Sequence, residues 1–358
     1  MKTQYLLLVP ACFLALVACE PNRPAKGRPP AQAFAVDSTD QTNDFYDNEP
    51  LFSLSGSHTI TISGEVDQPI EISLTDFVPR SIIVKETSIG DGEIRFTGAY
   101  RYDGISLYDI LDRVKVVKKN EALFEPIVDQ YVVVYGAAGD SAVISWGELY
   151  YPVQRHQMLI ANRVMRIVPS KSKDQWPLPE KTRLIIGSDL VTERNISEPV
   201  RIVVRSLNTV FTVDRNIKMW APEMRVTGVS GTPYILNAIP ENIHRETFNQ
   251  VFYGRGRGIH GITLFKGIYL KDLLASQVPV TSERIRSGLF VIAGVDGYRC
   301  AVTYSELMNR NDNAEVLLID ENNYENAGKF SCLFGADFFS DRAIKSITEI
   351  RMVQGNVK

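Results

Sequence analysis

Gly254-Arg255-Gly256-Arg257-Gly258-Ile259-His260-Gly261 is the densest run of chemically useful residues in the chain. Glycines let backbone N–H groups approach an anion closely, and two guanidinium forks can grip phosphate or carboxylate by paired hydrogen bonds. Arg255, Arg257 and His260 are therefore the expected contacts of a small anionic ligand. The spacing is not that of a P-loop and no capped helix follows directly, so a nucleotide fingerprint is not met. A solvated loop accounts for the same residues. The histidines His58, His156, His244 and His260 include no His-x-His or His-Glu-x-x-His pattern, which argues against zinc. No Gly-x-Ser-x-Gly elbow occurs, and Asp296-Gly297-Tyr298 reads as a strand-entry turn rather than a catalytic carboxylate. No catalytic residue, metal ligand or cofactor is assigned on these patterns.

The cysteines divide by position. Lys2 opens the chain, Tyr5 to Ala18 is apolar apart from Pro10, and Leu16-Val17-Ala18-Cys19 closes the segment. These 14 residues are too few for a bilayer span. The layout is that of an export signal over 1–18, with a thiol where bacterial lipoproteins are acylated. Cys19 is the expected lipidation site and the membrane the expected partner, at the periplasmic face or the outer membrane. Residues 19–56 are rich in proline and small polar residues and poor in aliphatic runs, so they read as a flexible tether. A tether of that length holds a body roughly 30 Å from its anchor. Cys300 and Cys332 lie in strand-like runs, and two readings stay open for them, one disulfide or two buried thiols.

The formal net charge of −3 leaves no cationic excess to neutralise a phosphate backbone, so nucleic acid is not an expected partner. An envelope protein or a small anionic ligand is.

The elements that must position these residues come in two copies. Gly64 and Pro69 answer to Gly228 and Pro233, 164 positions on. Gly104–Leu111 then matches Gly267–Leu274 at an offset of 163, Ser145–Leu149 matches Thr303–Leu307 at 158, and Ile186–Asp189 matches Phe334–Asp337 at 148. Blocks that keep their order while the offset shrinks describe one unit duplicated, with loop deletions in its second copy. The expected domains are 57–206 and 207–358. Alternation over His58 to Val66 and Ile70 to Leu74 predicts a β-hairpin. Ser81 to Lys85, Glu93 to Thr97, Tyr131 to Tyr135, Ala142 to Trp146, Arg163 to Pro169, Arg183 to Ile186 and Val200 to Arg205 continue as strands. Leu107, Ile110, Leu111 and Val114 share one helical face behind Ser106, and Trp146 to Tyr150 begins a second short helix. In the second copy the helix is Gly267 to Leu274, and the strands are Leu289 to Gly294, Tyr298 to Thr303 and Ile344 to Val353. Each module is expected to be α+β, strand-rich with short helices around a sheet.

Taken in order, Gly64 and Pro69, Gly104 to Leu111, Gly139-Asp140 to Leu149, Arg183-Leu184-Ile185-Ile186 and Ile196 to Ile202 resemble the molybdopterin-binding domain of sulfite oxidase-type oxidoreductases. So do Gly228 and Pro233, Gly267 to Leu274, Asp296-Gly297-Tyr298 to Leu307, and Ile344 to Ile350. The resemblance implies two tandem copies of that fold, molybdopterin as cofactor, and a cysteine thiolate on molybdenum shortly before the first helix. The corresponding stretches here, Glu93 to Tyr100 and Val251 to Gly258, hold no cysteine. The expectation is a degenerate pair of modules that binds or scaffolds without redox catalysis. The alternatives are a molybdopterin oxidoreductase with different metal ligation, and a purely structural envelope lipoprotein.

Overall fold

The computed structural model describes residues 46–355 apart from 48, 170–171, 229–232, 257 and 322–326. The signal, Cys19 and most of the tether lie outside the described residues, as does Arg257.

The first half supplies β1 (Thr59–Gly64), β2 (Ile70–Ser73), β3 (Arg80–Gly90), β4 (Glu93–Ser106), β5 (Gln130–Gly136), β6 (Ser141–Ser145), β7 (Met158–Arg166), β8 (Arg183–Ile186) and β9 (Pro199–Ser206). The second supplies β10 (Met224–Thr227), β11 (Tyr234–Leu236), β12 (Glu246–Gly254), β13 (Gly258–Tyr269), β14 (Gly288–Gly294), β15 (Arg299–Thr303), β16 (Val316–Glu321), β17 (Ser331–Phe334) and β18 (Ile347–Gln354). One sheet of the first half runs β2-β1-β9-β5-β6, and its counterpart runs β11-β10-β18-β14-β15. The other runs β8-β7-β4-β3, matched by β17-β16-β13-β12. In both halves one pair is parallel, β1 with β9 and β10 with β18.

The repeated glycines sit where these strands come closest. Gly64 and Gly228 have φ of 95° and 76°, and a Cβ at either would run into the carbonyl of Val204 or Met352 on the parallel neighbour. Gly104 and Gly267 are likewise pressed against the backbone at Ile160 and Leu318.

The expected α+β modules of sulfite oxidase type are not what this chain forms. Strand accounts for 47% of the residues and helix for 12%, and four small sheets stand in the arrangement of a four-bladed propeller. The helices α1 (Leu107–Leu111), α2 (Trp146–Tyr150), α3 (Leu270–Leu274), α4 (Ser282–Ser287) and α5 (Tyr304–Met308) are each a turn or so long. Such helices bury one or two apolar residues at a sheet's end and cannot form a covering layer, so sheet packs on sheet instead. α1 stops at Leu111, short of the expected Val114. Gly254 to Gly261 is not a loop: it turns β12 into β13, a hairpin paired from Glu246↔Gly267 to Gly254↔Gly258.

Each half has its own core. Ile60, Ile62, Leu107, Val132, Ile144, Ile160 and Ile202 belong to the first, and Val226, Ile268, Phe290, Cys300, Val302, Leu318 and Cys332 to the second. Between them Tyr131, Val133, Val143, Leu289, Val291 and Ala301 form an apolar cluster in which β5 and β6 meet β14 and β15. No helix among the described residues is long and apolar enough to cross a membrane.

Candidate functional site

The halves are joined by two copies of one buried charge network, built from the repeated blocks. Ser145 and Glu148 form a capping box that starts α2. Thr303 caps α5 by accepting from Glu306 N at 3.0 Å. Each cap reaches across the seam: Ser145 Oγ donates to Glu306 Oε2 at 2.9 Å, and Thr303 Oγ1 to Glu148 Oε1 at 3.0 Å. Behind each glutamate lies a fully buried arginine. Arg194 grips Asp189 through Nε at 2.8 Å and Nη2 at 2.7 Å and donates to Glu148 through Nη1 at 2.8 Å. Arg342 repeats this with Asp337 at 2.8 and 2.6 Å and Glu306 at 2.5 Å. Burial opposes the charge on both guanidiniums, but paired carboxylates outweigh it and hold them above the ordinary arginine range. Backbone bonds complete the symmetry, Leu190 N to Asn309 O and Phe338 N to Tyr151 O, both at 2.8 Å.

These networks bury their charges completely and face no solvent, so they fix geometry rather than meet a ligand. A ligand needs an opening, and the largest one described, a groove of about 860 Å³, lies on one flank of the seam. Its walls are Glu121 to Pro126 of the first half, Val210 to Val213 and Arg215 of the linker, and Asp296 and Tyr298 of the second. Phe124 forms the floor. Arg299 lies 4.2 Å and Lys118 4.6 Å from its ring centroid, and Tyr298 packs edge-on at 5.5 Å. Underneath, Asp129 is shared by Lys118 Nζ at 2.7 Å and Arg299 Nη2 at 3.3 Å, while Lys118 also donates to the carbonyls of Phe124 and Pro126. Burial works against all three charges, raising Asp129 and lowering Lys118 and Arg299 from their usual values.

A smaller cavity of about 420 Å³ takes Thr97 and Tyr100 from the stretch Glu93 to Tyr100, where the family resemblance expects a thiolate. Its polar groups are already matched. Glu86 accepts from Tyr102 and Asn195, both at 3.1 Å, and from Arg183 at 3.4 Å; Arg286, from the second half, donates to Glu193 at 3.0 Å. Hydroxyls and ion pairs are not a donor set for a metal held by sulfur, so these residues do not fit the molybdenum centre. Among the described residues no group of three or more His, Cys, Asp or Glu is placed to hold a metal.

The expected anion contacts are only partly brought together. Arg255 Nε is paired with Asp341 at 2.7 Å, and His260, on β13, packs against Phe252 with ring centroids 5.2 Å apart. Arg257 is outside the described residues. Cys300 and Cys332 are free thiols, fully buried in the second core, where burial pushes both up, Cys332 to about 12. Asp296-Gly297-Tyr298 is the expected turn, with Tyr298 N bonded to Asp296 Oδ1 at 3.1 Å, but it also walls the groove.

Lys118, Phe124, Asp129, Arg194, Arg299 and Arg342 escaped the sequence reading. For Arg194 and Arg342 a signal was present, since each follows its repeated Asp by five positions and both share the 148 offset. Lys118 and Phe124 lie in an irregular stretch with no repeated counterpart, so spacing could not find them. No family model matches the chain, and no curated protein is significantly similar to it.

Proposed function

We propose that this protein is a lipid-anchored extracytoplasmic binding or scaffold protein, held through Cys19 on the tether 19–56, whose binding surface is the groove between its two halves. One observation carries the reading: a cleft of about 860 Å³, walled by both halves and their linker, over aromatic residues. The seam networks support it, because they hold both walls in fixed register without any moving part. A site assembled from two modules also gives the duplication a purpose, since neither half encloses the cleft alone.

Native mass spectrometry of the exported protein, with elemental analysis, tests this. The expected outcome is an associated mass that is lost when Leu123 and Val210 are replaced by serine. Stoichiometric molybdenum would overturn the binding reading in favour of an oxidoreductase.

A further inference from the structure

The groove's chemistry is specific enough to say what it takes. Leu123 is 60% and Val210 73% exposed, and together with Phe211, Val213 and the Phe124 floor they present a continuous apolar surface. Its rim is acidic. Glu121, Glu125 and Asp296 stand against Arg215, with Asp214 next along the linker. The cations below do not offset this, because Asp129 engages both Lys118 and Arg299 and Phe124 covers them.

The linker adds a third feature. Asn208 to Val213 belongs to no helix or strand, and its amides have no hydrogen-bond partner among the described residues. Unpaired backbone beside an apolar groove is what an incoming strand uses, with main-chain bonds giving affinity and alternate side chains giving selectivity. A small amphiphile would use the apolar floor but not this backbone.

Resting on the binding reading above, we infer that the groove docks an extended peptide segment of a partner protein, alternating apolar and basic residues, laid along Asn208 to Val213. Its apolar side chains enter over Phe124, and its lysines or arginines meet Glu121, Glu125 and Asp296.

Two synthetic peptides test this on the full chain by fluorescence anisotropy, one alternating Leu with Lys and one alternating Leu with Glu. The Lys peptide should bind about tenfold more tightly at low salt, an advantage that shrinks as ionic strength rises. Both changed residues in E121K/E125K are exposed, and this variant should reverse the preference. L123S/V210S should weaken both peptides, and hydrogen exchange at 208–213 should slow on binding. Equal affinity for the two peptides, or a preference that survives E121K/E125K, would overturn the assignment. If a groove-dependent mass is found by native mass spectrometry while the peptides are not distinguished, the binding role stands and the peptide assignment falls.

Discussion

At the scale of single residues, energy in this protein is concentrated in buried charges. Arg194 and Arg342 are large, fully buried cations whose donors are taken by carboxylates. Removing the cation strands two buried carboxylates, so R194M and R342M should each lose about 3–5 kcal/mol of stability. The midpoint of urea unfolding measures this, and a change below about 1 kcal/mol would mean the carboxylates relax by taking up protons. His156 gives a pH signature. Its Nδ1 lies 2.9 Å from Ser106 Oγ, and burial together with Arg80 lowers its pKa from 6.5, against the opposing pull of Asp109. The folded state then binds fewer protons than the unfolded chain, so this contribution is present above pH 6.5 and lost as pH falls through the folded value. H156Q should therefore flatten the fall in Tm between neutral and mildly acid pH. An unchanged profile would place the titration elsewhere.

At the scale of elements, the short helices act as clasps. α2 and α5 begin with residues that cap their own helix and bond the glutamate of the other. S145A and T303A should each cost about 1–2 kcal/mol through the lost cap. A double-mutant cycle of S145A with E306Q should show coupling across the seam of about 0.5–3 kcal/mol, and additivity would show that the cross-seam bond contributes nothing. Much of this was legible: Ser145 to Leu149 reads as a strand turning into a capped helix, and Thr303 to Leu307 repeats it. Where reading failed, local pattern and tertiary pairing disagreed. Gly254 to His260 carries glycine and arginine typical of a loop, yet its ends complete a ladder with Glu246 to Tyr253, and those bonds override local preference. Leu107 to Val114 has helical spacing, but the helix ends at Leu111 once Ser106, which makes no side-chain cap bond, turns its hydroxyl to His156.

At the scale of the molecule, the seam makes the two halves interdependent. A chain limited to 57–206 exposes Tyr131, Val133 and Val143 and loses the cross-seam bonds of Ser145 and Glu148. It should self-associate or bind a hydrophobic dye, whereas co-expression with 207–358 should restore a stoichiometric complex. Two monomeric, dye-silent halves would show that the seam is dispensable. The groove likewise belongs to the whole, since its walls come from 121–126, 210–215 and 296–298.

The sequence by itself determined the duplication, the glycines that admit close strands, the caps of the seam helices and the charge that disfavours nucleic acid, because these rest on spacing and on local backbone chemistry. Only the tertiary structure decided that short helices leave the sheets to pack on one another, that Arg194 and Arg342 lie at the seam, and that Phe124, Phe211 and Tyr298 meet in one cleft. Those outcomes depend on which surfaces face each other, and residues far apart in the chain carry no periodicity that announces their meeting.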